Sequence, residues 1–494
     1  MDIPSFLLRL LQSGAGNLAA YLAAHVLLCL LPAFYIAGAM TTLIPKEAIT
    51  RFLGRNTPKF ISYPAAALAG SLLAVCSCTI VPLFAGIYKK GAGIGPAITF
   101  LFFAPAANIL ALVYTGGVIG ADLAFARLFL SLAFGIGIGL IMALIFRKDD
   151  QAHDQNTDAL FAAQNAGGMN KAALAFLLAL VILLLAGTLK LPFLTDSYAQ
   201  ATLPVAGATE FQAVLDRLVP YDASKGEEGV SAQGVVLIAL LALIGLSAWK
   251  GFENIHEGFN RWTGIALGLT ALTLSVAALG MRAAPEGLVV AFPGKFFAVL
   301  LTLAALFWLG RYRLSADERR DFLWESWRFV KQIFPLLVAG VFAVGVIRAL
   351  IRPEWIETLA GSNTLLGNLA GVLFGVFMYF PTLVEVPIAN MFLSLGMHRG
   401  PLLAYLMADP ELSLQSILII TAIIGRRKTW TYVGWVALFS TLAGLIYGTW
   451  VDGAGLGLIA LYLGAFLAAL AAILILVERR AAKKAALPNS VLTE

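Results

Sequence analysis

Apolar runs recur along almost the whole chain, at roughly 19–43, 60–88, 94–119, 122–146, 172–191, 232–249, 263–281, 288–309, 332–351, 365–395, 400–424, 430–450 and 454–477. Most are close to the ~20 mainly apolar residues a helix needs to cross the hydrocarbon of a bilayer. Polar residues collect in the gaps, chiefly Arg147 to Lys171, Pro192 to Ser231 and Arg311 to Lys331. The pattern predicts an all-α, polytopic integral membrane bundle, because a spanning helix satisfies its backbone internally where lipid offers no partners. It also divides the chain. A first group of spans fills 1–146, a linker and additional middle spans fill 147–331, a second group fills 332–478, and a polar cytoplasmic tail fills 479–494.

Composition sharpens this. Of 494 residues, 60% are hydrophobic and 13% charged, against about 25% charged in a soluble domain. Mean hydropathy is +0.87. The solvent for most of this surface is lipid, and a bacterial inner membrane is the expected location. The net charge of +6 does not point to nucleic acid, because the basic residues sit in short clusters between apolar runs, as membrane orientation requires. Met1 to Gly16 lacks the form of a cleavable signal peptide. Three cysteines, Cys29, Cys76 and Cys78, cannot make a disulfide scaffold. No P-loop or other cofactor motif is present, so no cofactor is expected and the chain reads as a non-enzyme. Nothing in the pattern sets an oligomeric state.

The chain repeats itself. At an offset of 305 residues, Val81, Pro82, Gly91, Gly95, Pro96, Leu101 and Pro105 match Val386, Pro387, Gly396, Gly400, Pro401, Leu406 and Pro410, and Gly70 matches Gly375. Glycine and proline dictate backbone shape, so the halves share a backbone feature rather than a side-chain chemistry. Paired repeats of this kind build many transporters, with the binding site between broken helices. Charge then orients them. If runs 60–88 and 365–395 are hairpins that return to their starting side, the clusters Lys46 to Lys59, Lys89-Lys90, Arg147 to Lys171, Arg311 to Lys331, Arg426-Arg427-Lys428 and the basic tail all fall inside. The 192–231 loop, with six acids against Arg217 and Lys225, then falls outside. This assignment satisfies the positive-inside bias and makes the two repeats inverted.

Several residues could carry chemistry. Cys76-Ser77-Cys78-Thr79 lies within an apolar run just before Pro82. Cysteines one residue apart point to different sides of a regular helix and converge on one ligand only where the backbone is irregular, as a proline break allows. The alternative is that both are small apolar packing residues. Asn108 follows Pro105 and needs partners within the bundle, either another helix or a substrate. Thr79 and Thr99 can equally bond their own helix. His25 and Cys29 share a helical face; with Cys76 and Cys78 they could form a soft-metal site, or merely pack. The second repeat has carboxylates instead. Glu385 lies in an apolar run, where insertion costs about 2.5–3.5 kcal/mol, and Asp409 and Glu411 flank Pro410. These three are candidates for proton coupling. The competing reading pairs them structurally with a base such as Arg348 or Arg399.

Cys76-Ser77-Cys78, then Pro82-Leu83, Gly86, Gly91, Gly95, Phe100-Leu101 and Pro105-Ala106-Ala107-Asn108, resemble the ArsP/YraQ family of predicted permeases, which includes organoarsenical efflux permeases. The resemblance covers roughly residues 30–145 and extends to 327–450; the middle spans, 172–309, lie outside it. It implies a membrane permease, an exporter, with the cysteine motif near its pathway; the residues read above then make Cys76, Ser77, Cys78, Thr79, Pro82 and Asn108 the candidate substrate contacts. Soft sulfur ligands favour a thiophilic cargo, such as a trivalent organoarsenical or another metalloid or metal species. A membrane redox protein using Cys76 and Cys78, or a non-transporting subunit of a membrane complex, are the alternatives.

Inverted repeats would place Lys89 and Arg399 on opposite sides of the membrane. Single cysteines introduced at Lys89 and at Arg399 react with an impermeant thiol reagent from opposite faces of sealed vesicles. Labelling of both from one face rules out inversion.

Overall fold

The structure, a computed structural model, describes residues 3–23, 26–72, 77–161, 170–189, 191–219, 229–350, 354–377, 382–455 and scattered positions between 457 and 475. Cys76 and His25 lie outside the described residues, as does part of the last apolar run. Among the described residues, eight helices are long and apolar enough to cross a membrane, or up to ten if two bent pairs each count as one span.

Helices α1 (Ile3–Ala23) and α2 (Val26–Thr42) meet at a 72° bend. The short amphipathic α3 (Lys46–Leu53) leads to α4 (Lys59–Leu72) and α5 (Ser77–Lys89), then α6 (Ile94–Ala106), α7 (Ile109–Val118) and α8 (Ala121–Ile145). The polar α9 (Arg147–Phe161) precedes the middle group: α10 (Lys171–Thr188), α11 (Pro192–Thr195), α12 (Ala208–Leu218), α13 (Ala232–Phe252), α14 (Arg261–Ala278) and α15 (Gly294–Tyr312). The second group is α16 (Ala316–Arg348), α17 (Glu354–Ala360), α18 (Leu365–Phe377), α19 (Thr382–Ser394), α20 (Arg399–Leu412), α21 (Leu414–Ile424) and α22 (Arg426–Val451).

From α5 to α8 and from α19 to α22, each helix starts 305 residues after its counterpart, so the sequence repeat is a repeat of helix boundaries. The conformational signals repeat with it. Gly91 and Gly396 take φ of 93° and 90°, and Gly120 and Gly425 take 146° and 85°, a region open to glycine. Asn108 caps α7 by accepting from the Ala111 N–H; Ser413, its equivalent, caps α21 by accepting from the Ser416 N–H. In the helix pairs α4–α5 and α18–α19 the ends lie together, as they would in a hairpin. The Gly93 N–H donates to the Leu53 carbonyl at 2.8 Å and the His398 N–H to the Ala360 carbonyl at 2.9 Å, so chain entering each pair lies beside chain leaving it.

Every residue of α6 is buried, as is every residue of α20 from Gly400 to Leu412. These two broken helices are the axis of the protein. Each crosses the long helix of its own half at a pair of glycines: a Cβ on Gly139 would stand 2.6 Å from the Gly95 carbonyl oxygen, and one on Gly444 2.5 Å from that of Gly400. The start of α6 lies at the end of α8, where the Ile94 N–H donates to Asp150 at 2.9 Å. The start of α20 lies instead at the start of α8, where Arg399 pairs with Asp122 at 3.0 Å, and the Tyr447 hydroxyl near the end of α22 donates to Asp122 at 2.7 Å.

Two departures from the sequence reading lie around the middle group. Most of the charged connector 311–331 is helical: from Ala316 onward it is the first half of α16, begun by a capping box between Ser315 and Glu318. The run at 288–309 is not one span. Its first residues form β3 (Gly287–Pro293), which lies between β1 (Ser197–Leu203) and β2 (Gly280–Ala284) in a three-stranded antiparallel sheet. A short apolar run carries no period that tells strand from helix, and here Pro293 divides them. The middle group is tied to the second by Glu253, at the end of α13. It accepts from Lys331 at 2.8 Å and from the Trp327 indole at 2.9 Å, and these bonds hold its carboxyl below the usual range.

The glycine crossings generate a test with an unusual sign. Alanine normally stabilises a helix over glycine by up to ~1 kcal/mol. Gly434, with open space around it, follows that rule on substitution by alanine. Gly139→Ala and Gly444→Ala instead destabilise by about 1–3 kcal/mol, as overpacking does. Thermal unfolding of the detergent-extracted protein reads the difference.

Candidate functional site at the helix breaks

The ends of α6 and α20 face a common polar centre buried within the bundle. Its core is an ion pair between the halves. Arg127 of α8 and Glu385 of α19, both fully buried, approach to 3.0 Å, and the same guanidinium nitrogen reaches the second carboxylate oxygen at 3.2 Å. The remaining guanidinium donors are also engaged: Nε donates to the Ala106 carbonyl at the end of α6, at 2.6 Å, and Nη1 to the Thr115 hydroxyl of α7, at 3.2 Å. One side chain therefore ties both parts of the broken helix in its own half to a hairpin of the other half.

The competing reading of Glu385, a structural pairing with a base, finds a base other than the ones it named. Arg399 is engaged with Asp122 in the first turn of α8, and the partner of Glu385 is Arg127. Sequence reasoning passed over Arg127, although an intramembrane-charge argument identical to the one that selected Glu385 applies to a guanidinium within run 122–146.

The other carboxylates come together on α20. Glu411 is buried, and its Oε2 accepts from the Tyr432 hydroxyl of α22 at 2.6 Å. Asp409, fully buried, lies where α20 meets Gly375 of α18. Asn108 is buried, but its amide serves the break itself: Nδ2 donates to the Ala104 carbonyl at 3.1 Å, and Oδ1 accepts from the Ala111 N–H at 2.8 Å. Thr99 binds the Gly135 carbonyl on α8 at 3.0 Å.

Of the cysteine segment, Ser77, Cys78, Thr79 and Pro82 lie in α5. Cys76 is outside the described residues. Thr79 and Pro82 are buried, and Thr79 bonds the Cys29 side chain, joining α5 to α2. Among the described residues, no three His, Cys, Asp or Glu side chains are grouped to hold a metal ion. Two members of the suggested soft-metal set, His25 and Cys76, fall outside that description.

At one end of the bundle, α9 folds back over the first hairpin. The His153 ring stacks on Tyr88 at 4.1 Å, and its Nε2 lies 2.8 Å from the Tyr88 carbonyl. Burial raises the Asp150 carboxyl above its usual range, against the opposing bond from Ile94.

Comparison with known proteins bears on the whole chain. Over 448 residues it is 33% identical to the UPF0718 protein MJ0584 of Methanocaldococcus jannaschii, an alignment covering 91% of this chain and 98% of that one. Over 118 residues it is 30% identical to the UPF0718 protein YcgR of Bacillus subtilis, covering 24% of this chain and 39% of that protein. A 118-residue match to the UPF0718 protein YraQ of Escherichia coli K12 is 26% identical and covers 24% and 34%. No solved structure matches. The family match runs over residues 12–449 and so takes in the middle spans that the motif resemblance left out. The chain belongs to the ArsP_1 family of predicted permeases, and is a multi-pass helical membrane protein.

Proposed function

We propose that this protein is a secondary active exporter, resident in the cell membrane, for a soft metalloid or metal species such as a trivalent organoarsenical. It acts as a carrier rather than an enzyme. The observation that carries the reading is the buried Arg127–Glu385 pair. It joins two repeats of the same backbone at the point where their helices break, which is where transporters built from paired repeats hold their cargo. Intramembrane charges are costly and mark transport pathways.

Inversion of the repeats has support in the contacts that end each helix. The start of α6 meets the end of α8, whereas the start of α20 meets the start of α8. Because α8 crosses the bundle once, α6 and α20 begin on opposite sides. An exporter of this form exposes its centre to one side and then the other as the halves rock. Between α4 and the first turn of α5 the sequence carries Cys76-Ser77-Cys78, whose thiolates suit a soft centre. Glu385, Asp409 and Glu411 supply carboxylates for coupling.

Two tests follow from this reading. Removing one member of the ion pair leaves a buried charge alone, at a cost of about 3–5 kcal/mol, whereas removing both is near neutral. Arg127→Met is therefore expected to lower the level of inserted protein. The double change Arg127→Met with Glu385→Gln restores the level and leaves transport lost. Recovery of transport in the double variant reduces the pair to a structural tie.

For the cysteines, serine keeps the size but is a far poorer soft ligand. Cys76→Ser and Cys78→Ser each abolish flux of a trivalent arsenical into inverted vesicles at unchanged protein level. Normal flux in the double serine variant ends the direct-ligand role.

A further inference from the structure

Position 432 on α22 is the equivalent of position 127 on α8, and Glu411 is the equivalent of Ala106. In both halves this place on the long helix braces the end of the broken helix beside it. Arg127 donates to the Ala106 carbonyl, and Tyr432 donates to the Glu411 carboxyl. The braces differ in what they leave over. Both Glu385 oxygens face the Arg127 guanidinium. Glu411, in contrast, has Oε1 buried with no hydrogen-bond partner among the described residues, and neither amide atom of the buried Gln415, just past the break, has one. Each unmade bond costs about 1–3 kcal/mol. Three such atoms around one break, in a chain whose other break is fully bonded at Asn108, call for an explanation in function.

We propose that Glu411 is the residue that exchanges the coupling ion, and that the ion is a proton taken on Oε1. The proposal rests on the permease reading and deepens it. An O–H bond forms on Oε1 when the centre opens to one side, and the proton leaves when it opens to the other. Oε2 keeps its bond from Tyr432 throughout. The titratable groups around it are Tyr432 on α22, Asp409 on its own helix, Glu385 on α19 and, paired with Glu385, Arg127 on α8. The Arg127–Glu385 pair keeps its charges through the cycle, since each partner is compensated by the other. Glu385 then exchanges no proton, and of the three carboxylates assigned to coupling Glu411 is the one that does.

Two measurements test this. The first needs no cargo. Infrared difference spectra of the purified protein between neutral and alkaline buffer, a range in which exposed carboxyls stay ionised, contain a carbonyl stretch of an un-ionised carboxyl. That band is expected to vanish in Glu411→Gln, to persist in the double variant Arg127→Met with Glu385→Gln and to return, shifted, in Glu411→Asp. A band that survives unchanged in Glu411→Gln overturns the proposal. The second uses proteoliposomes and a trivalent phenylarsenical. An imposed pH gradient drives its accumulation by the unaltered protein. Glu411→Gln lowers that response by about tenfold or more, because a group that cannot change state cannot bias the two conformations, while exchange of the arsenical persists. A full response in Glu411→Gln, or accumulation driven by a sodium gradient and indifferent to pH, overturns the proton assignment. If the unaltered protein moves no arsenical while the infrared band behaves as expected, the cargo reading fails and the proton site stands.

Discussion

A helix interrupted inside a bilayer must find its hydrogen bonds within the protein, because the hydrocarbon supplies none. This chain interrupts two helices at its centre, α6–α7 and α20–α21, and much of its architecture answers the consequence. Each break begins its second helix with a capping side chain, Asn108 or Ser413, so the first free N–H groups are met locally. Each is braced from the long helix of its own half, by Arg127 or by Tyr432. The glycine pairs that let the long helices approach α6 and α20 are what bring those braces within reach. Close helix approach through small residues is a general device of membrane bundles; here it also positions the polar centre.

The Arg127–Glu385 pair must be judged by the same constraint. Burying two charges costs several kcal/mol per ion before their attraction is counted, and a buried pair is weak evidence for stability in itself. What this pair supplies is specificity of placement. The guanidinium makes contacts to the end of α6, to α7 and to α19 at once, so the first break and the second hairpin cannot move independently while the pair is closed. A rocking motion between halves must carry the pair with one side or reorganise it. This connects a local accounting of hydrogen bonds to the conformational cycle of a carrier.

How far the sequence shows this depends on which residues are asked. The Gly and Pro matches at 81–105 and 386–410 reveal the repeated backbone, because those two residue types act on φ directly and need no tertiary context. The agreement extends to single residues: Gly120 and Gly425 share the offset and both take positive φ. The pairing of Glu385 with Arg127 was not legible, since 258 residues separate them and no local rule joins them. Asn108 was read as a bond between helices or a contact to substrate, and it is a cap; the proline three residues before it hid a helix start, because Pro105 lies inside α6 rather than ending it. The sheet around β3 was missed because Leu288 to Phe292 is too short to show a period, and the apolar α15 that follows absorbed it.

The two halves share a backbone and differ in charge, and the difference is itself constrained. A fully symmetric centre would hold two arginine–glutamate pairs, four buried ions where one pair already ties the halves. The desolvation cost would double for no further constraint. The chain instead carries Ile80, Ala106 and Arg127 in one half and Glu385, Glu411 and Tyr432 at the same places in the other. Arg127 faces the acid that it neutralises, Glu385, and the Tyr432 phenol faces Glu411. A phenol can donate to that acid in either protonation state, whereas a guanidinium beside it would hold it ionised. If Glu411 exchanges the proton as proposed, tyrosine in place of arginine at the equivalent position of the second half is what leaves it free to change charge, and the asymmetry of the repeats is then the condition for coupling rather than a blemish on their likeness.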